Sequence, residues 1–301
     1  MEKSYKYTVA GHTFSVFLPE GCSQEDCLRP YAPFEAFDDD VLFSLRVRIV
    51  EDLHDVLPGK VVDCLNQEAP YLWLFQPQNG SMKTPLKFNF GFSYSKSRPD
   101  CILVPAHDLK DNVVYLPAAT AKRSIEFAIS NSMMLLYTYC TAPYETLMVH
   151  ASVVAHKGGG YMFLGRSGTG KSTHSSLWLR NFSENTYLLN DDNPVIRVLD
   201  GHPYVYGTPW SGKTPCYKCE RVPLFGVVRL SQAPENKISR LPLLNAYASL
   251  MPACSCMRWD RASTDALHHT VEAVISQTAC WHLQCLPDDE AAHVCNSAVV
   301  I

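Results

Sequence analysis

The chain has 301 residues, 47% hydrophobic and 19% charged, a balance that supports packed domains and excludes a mainly disordered chain. Its length accommodates two domains of ordinary size. A net charge of −4 gives no electrostatic case for nucleic acid or an anionic membrane as partner.

No apolar run approaches the length of a bilayer span, and Met1-Glu2-Lys3-Ser4-Tyr5-Lys6 lacks the apolar core of a secretion signal, so a cytoplasmic protein is expected. The first part reads as strand-rich. Tyr7–Val9 and Thr13–Leu18 flank Ala10-Gly11-His12 as a hairpin. Phe43, Leu45, Val47 and Ile49 alternate with polar residues, the pattern of a half-buried strand. Asn79-Gly80, between Tyr71–Gln76 and Leu86–Phe92, predicts a second hairpin turn. From about Ala118 to Tyr139 the period changes to helical, with Ile125, Ile129, Met133 and Leu136 on one face. Thr141-Ala142-Pro143 ends that helix and sets the expected division: a strand-rich α+β domain over 1–145 and an α/β domain over 146–301.

The second domain opens with a strand over Met148–Ala155, a turn at Lys157-Gly158-Gly159-Gly160 and a return strand over Tyr161–Leu164. There follows Gly165-Arg166-Ser167-Gly168-Thr169-Gly170-Lys171-Ser172-Thr173, which satisfies G-x-x-x-x-G-K-[ST]. In that motif the loop's backbone N–H groups cradle phosphates, the lysine reaches the terminal phosphates and the serine hydroxyl sits on Mg²⁺. Ser172–Phe182 then carries Leu177, Trp178 and Phe182 at helical spacing. A strand, a glycine loop and a helix N-terminus form an anion site, because unpaired N–H groups and the helix dipole point the same way. ATP is the expected ligand.

Tyr187–Asn190 reads as the next strand, and it ends in Asp191-Asp192, twenty residues beyond Lys171. A strand, an eleven-residue helix and a parallel return strand form a crossover unit, so its carboxyl end lies on the same sheet edge as the loop. One carboxylate is placed to hold Mg²⁺ and the other to accept a proton from an attacking hydroxyl. Further strands are expected over Leu224–Leu230 and His282–Leu286, and a helix over Asp265–Thr278. Cys216-x-x-Cys219 and Cys254-x-Cys256, 34 residues apart, lack zinc-finger spacing, so the twelve cysteines read as reduced thiols. His268-His269 reads as a helix face.

His150, Gly165–Thr173 and Asp191-Asp192, in that order and spacing, resemble the HPr kinase/phosphorylase family and, more distantly, the ATP-dependent phosphoenolpyruvate carboxykinases. The resemblance spans roughly Leu147–Ile196. It implies a P-loop kinase core in which Lys171 and Ser172 bind phosphate and metal. It further implies that Asp191 activates an acceptor hydroxyl, that Asp192 holds Mg²⁺ and that His150 supports the reacting phosphate. The implied activity is ATP- and Mg²⁺-dependent transfer to a hydroxyl, serine of a protein or peptide or a small metabolite, with an enolate acceptor or nucleotide sensing without turnover as alternatives. The family's assemblies imply a homo-oligomer. Two departures stand out: the downstream glutamate segment is replaced by Tyr206–Lys213, with Glu220 as the nearest substitute, and the HPr-binding signature is missing. Lys213 and Arg221 are the candidate extra cations at the reacting phosphate. The first domain is expected to select the acceptor or mediate assembly.

Overall fold

The structure is a computed structural model that describes residues 2–56, 58–66, 69–77, 85–212 and 214–300. It is mixed α/β, with two sheets, and divides into two compact units, Met1–Cys140 and Thr141–Ile301. Among the described residues no helix is long and apolar enough to cross a membrane.

The first unit runs β1 (Lys3–Val9), β2 (His12–Leu18), a one-turn helix α1 (Gln24–Cys27), β3 (Phe43–Val50), β4 (Lys60–Leu65), β5 (Tyr71–Gln76), β6 (Asn89–Ser93), β7 (Cys101–Val104), β8 (Asp111–Pro117) and α2 (Ala121–Thr141). The strands form one sheet in the order β1-β2-β3-β8-β7-β6-β5-β4. β1 and β2 make the expected hairpin, with Val9 opposite His12. β5 and β6 pair antiparallel, whereas Asn79-Gly80 lies outside the described residues. Phe43, Leu45 and Val47 are fully buried, but Ile49 is 41% exposed, because the period-2 pattern outlasts the cover over the end of β3. The apolar face of α2 buries Ile125, Ile129, Met133 and Leu136, and the Tyr137 hydroxyl donates to the Val9 carbonyl at 3.0 Å.

The second unit runs β9 (Thr146–Met148), β10 (Ala151–His156), β11 (Gly159–Leu164), α3 (Lys171–Asn181), β12 (Thr186–Asp192), β13 (Val195–Leu199), β14 (His202–Tyr206), β15 (Arg221–Gln232), β16 (Lys237–Arg240), α4 (Leu243–Leu250), α5 (Arg261–Gln277), β17 (Ala279–Cys285) and α6 (Asp289–Val299). β11 is buried on both faces, which explains its unbroken apolar run. Tyr161 and Phe163 pack with Leu177 and Trp178 of α3 and with α6; Met162 and Leu164 pack with α4, α5 and the β13–β14 hairpin. Burial of Trp178 and Leu177 fixes α3, and with it the preceding loop, to the sheet, each side chain contributing roughly 1.5–3 kcal/mol.

The expected single strand over Met148–Ala155 is instead broken at Val149-His150. β9 and β10 together pair with β13 and β12 as one long antiparallel ribbon, Met148 facing Val195 and Ala151 facing Asp192. The ribbon bends between these pairs, where Asn193-Pro194 sits opposite Val149-His150 and the Val149 N–H donates to the Pro194 carbonyl. Proline supplies no N–H to the ladder, so regular pairing cannot run through the bend. The same bend holds His150 and the acid pair.

Candidate functional site

The loop leaves β11 at Gly165 and enters α3 at Lys171. Gly168 (φ +77°) and Gly170 (φ +108°) take left-handed backbone, which glycine adopts without a Cβ penalty. Gly170 is the helix cap, and no side chain caps the first turn of α3, which also carries no acidic residue. The positive end of the helix thus meets no carboxylate of its own, the arrangement that favours an external anion. Arg166, Ser167, Ser172 and Thr173 are exposed around it, and Thr169 is half-buried.

Lys171 folds back across this loop. Its ammonium donates to the Gly165 carbonyl at 3.1 Å and to Nε2 of His150 at 3.0 Å. Nδ1 of His150 lies 3.2 Å from Oδ1 of Asp192, and the other Asp192 oxygen accepts from the Asn193 amide at 2.8 Å. The ammonium has no lone pair to accept a proton, so Nε2 is the acceptor of that bond. The ring thus sits between the Lys171 ammonium and the Asp192 carboxylate. Partial burial pulls the Lys171 pKa below the usual lysine range, opposed by the charges of Asp192 and Asp191.

The Asp pair is delivered by an irregular strand. Val153 faces Asn190 while Val154 faces Leu188, so Leu189 is an extra residue in β12 and forms a bulge. Bulges re-aim the residues that follow. Asn190, fully buried, anchors the result. Its amide nitrogen donates to Oγ1 of Thr208 at 3.0 Å, and its carbonyl accepts the N–H groups of Asp192 and Asn193 at 3.1 and 3.0 Å. Thr208 Oγ1 also accepts from the Trp210 N–H at 3.2 Å and donates to the Asn193 carbonyl at 2.8 Å. Gly212 donates its N–H to the Asp191 carbonyl at 2.8 Å, and a Cβ at Gly212 would meet that same oxygen at 2.8 Å. The segment Thr208–Gly212 is thus strapped across the acid pair. Asp191 is 5% exposed; Asp192 is half-buried and holds the direct contact to His150.

β10 lies between β11 and β12, antiparallel to both, so the carboxyl ends of β11 and β12 share one sheet edge as expected. The structure therefore brings His150, Lys171 and Asp192 into one contact chain beside Gly165–Thr173. Asn190 and Thr208 organise that chain; Asn190 alone carries a sequence signal, a polar residue set between the apolar run Tyr187–Leu189 and two aspartates.

Other candidates are elsewhere. Arg221 stands at the start of β15, opposite the loop edge, with its guanidinium over the Tyr204 ring and bonded to the Tyr206 hydroxyl at 3.1 Å. Glu220 faces Tyr187, at the far end of β12 from the Asp pair; burial, and after it Glu220, raises the Tyr187 pKa to about 12. Lys213 lies outside the described residues. All twelve cysteines are free thiols; Cys254 and Cys280 are pushed up to about 12 and about 11 by burial. Among the described residues no three His, Cys, Asp or Glu side chains gather to hold a metal ion. His268 stacks on Tyr247 and His269 reaches Glu145 at 3.2 Å, a structural helix face.

No family model matches the chain, and no curated protein matches it.

Proposed function

We propose that the second unit is an ATP- and Mg²⁺-dependent phosphotransferase with a P-loop kinase core, acting on a hydroxyl of a protein, peptide or small metabolite. One observation carries this reading: the contact chain from Gly165 through Lys171 and His150 to Asp192 links the phosphate loop to the acid pair. A loop that only binds nucleotide has no need of a carboxylate pair fastened beside its lysine.

The residues suit Mg²⁺. Ser172 offers a hydroxyl and Asp192 a half-exposed carboxylate, hard oxygen donors of the kind Mg²⁺ takes in small number alongside phosphate and water. When bound, the ion would neutralise charge on the transferring group. The chain's own residues do the rest. The α3 N-terminus and the loop N–H groups bind the phosphates. Lys171, its stem half-buried, places its ammonium against the terminal phosphate, and His150 fixes where that ammonium rests. Asp191 takes the acceptor's hydroxyl proton. The acceptor oxygen forms its bond to the γ-phosphorus as the bond to the β,γ-bridging oxygen breaks, ADP leaves, and the proton remains on the Asp191 carboxylate.

Incubation of the protein with γ-labelled ATP and a cell extract tests the reading. Labelled products are expected with the wild-type chain and lost in Lys171→Ala and Asp191→Asn. Equal labelling by all three proteins would overturn it.

A further inference from the structure

The first unit has a cavity of about 580 Å³, within the range of ligand pockets, about 300–1,000 Å³. Every described residue that lines it belongs to Met1–Cys140, so it is a feature of that unit alone.

Strand register builds its floor. Trp73 of β5 stands opposite Gly91 of β6, and Gly91 opposite Ile102 of β7, so the three share one row on one face of the sheet. Phe75, two residues on from Trp73, points to the same face. Gly91 leaves a gap in the row: a Cβ there would meet Pro99 Cβ at 2.8 Å, Phe75 Cε2 at 3.0 Å and Trp73 Cβ at 3.2 Å. Pro99 therefore lies close against the sheet, and its neighbours Arg98 and Asp100 reach the cavity wall. Trp73 donates its indole N–H to Oγ of Ser93 at 2.8 Å. Its one polar group is thus satisfied, and the half-buried ring lines the cavity as an apolar, π-rich surface.

The rim is acidic. Glu51 and Asp52, which follow β3, join Asp100 in the lining. Asp52 accepts from the His54 N–H at 2.9 Å and Asp100 from the Tyr94 N–H at 3.0 Å, so backbone donors hold both carboxylates in place. Among the described residues no lysine or arginine is ion-paired to any of the three. Against them in the lining stand one guanidinium, Arg98, and the ring of His54. Three carboxylates against one permanent cation give the cavity a negative field, which its apolar walls concentrate. An apolar ligand without a cation would strip water from these carboxylates and return nothing. A cation answers them, and the face of an indole attracts it as well. We propose that this cavity binds an organic cation: an ammonium or guanidinium on an aromatic or aliphatic body, supplied by a free amine or by a lysine or arginine side chain of a polypeptide.

Calorimetric titration of the full chain with three ligands of similar shape tests this: phenethylamine, 2-phenylethanol and 3-phenylpropionate, which carry a cation, no charge and an anion. Phenethylamine is expected to bind at least about tenfold tighter than 3-phenylpropionate, with 2-phenylethanol between them. Glu51 and Asp52 are exposed, and Asp52→Asn keeps the oxygen that accepts from His54. Combining Glu51→Gln with Asp52→Asn is expected to weaken phenethylamine about tenfold and leave 2-phenylethanol within about twofold of wild type. Arg98→Gln, also at an exposed position, is expected to tighten phenethylamine about threefold. An unchanged circular dichroism spectrum shows that each variant is folded. Competition with a capped leucyl-lysyl-leucine tripeptide identifies the source: displacement of phenethylamine assigns the cavity to a polypeptide side chain, and no displacement assigns it to a free amine. The proposal is overturned by folded wild-type protein that binds no phenethylamine, by equal affinity for the amine and the acid, or by unchanged amine affinity in the folded double variant.

Discussion

The ammonium of Lys171 donates to Nε2 of His150 at 3.0 Å, and the opposite nitrogen of the same ring lies 3.2 Å from Asp192. One imidazole therefore couples the lysine of the glycine loop to the acid pair. Replacing His150 by alanine breaks both contacts. The expected result is a fall in turnover of about 10²-fold, the scale seen when one preorganised polar group is lost from a charge-stabilising site. Steady-state transfer rates measure it, and His150→Gln, which keeps a donor and an acceptor, is expected to retain more activity than His150→Ala.

The two aspartates are expected to separate by their response to metal. Asp192→Asn should raise the Mg²⁺ concentration needed for half-maximal transfer by about 10–100-fold, as loss of a ligand-shell group does. Asp191→Asn should leave that concentration near wild type and lower turnover by about 10²–10⁴-fold, the range for a lost general base. Magnesium titrations of transfer rate in the two variants decide between these roles.

Thr208→Val keeps the side-chain shape but removes the hydroxyl that accepts from Asn190 and Trp210 and donates to the Asn193 carbonyl. Both donors lose their bond to Oγ1, the Asn190 amide keeping only longer contacts to the Thr208 and Trp210 carbonyls at 3.4 and 3.5 Å, at an expected cost of about 1–3 kcal/mol read by thermal or urea unfolding. Activity should fall further than stability alone accounts for, because the same network sets the backbone of the Asp pair.

His174 gives the fold a dependence on pH. Burial lowers its pKa from the ordinary 6.5 to about 4. Between these values the unfolded chain binds a proton that the native chain does not, so stability declines as pH falls from about 6.5 to about 4 and levels off below. The shift corresponds to at most about 3 kcal/mol. Unfolding midpoints from pH 7 to 4 should show the decline in wild type and a shallower one in His174→Phe.

Arg221→Ala is expected to leave transfer within about twofold of wild type, the behaviour of a surface residue remote from the site. Its guanidinium sits over the Tyr204 ring, near the amino ends of the parallel strands, whereas the loop is at their carboxyl ends.

Legibility in the sequence followed how local each signal was. Gly165–Thr173 and the helix after it are written in consecutive residues, because the loop's glycines and the helix's apolar face are set by neighbours a few positions away. The shared edge of Leu164 and Asp191 followed from crossover topology. The bend at Val149-His150 was hidden, since Met148–Ala155 is uniformly strand-like and the break comes from partners distant in sequence, Pro194 and Ala253–Ser255. The Leu189 bulge was hidden for the same reason. Arg221 and Lys171 look alike as cations in sequence, and only strand register places Arg221 at the wrong edge. Asn190 and Thr208 are 18 residues apart, and nothing in their spacing announces a hydrogen bond.

In the proposed function the loop binds the nucleotide and Asp191 reacts, as two separable parts of one site. Mg²⁺-ATP affinity and transfer of labelled γ-phosphate to extract acceptors, measured on the same preparations of wild type and Asp191→Asn, test it most directly. Asp191→Asn is expected to bind Mg²⁺-ATP within about threefold of wild type and to transfer at least about 10²-fold less. Wild-type transfer by a folded Asp191→Asn protein would contradict it.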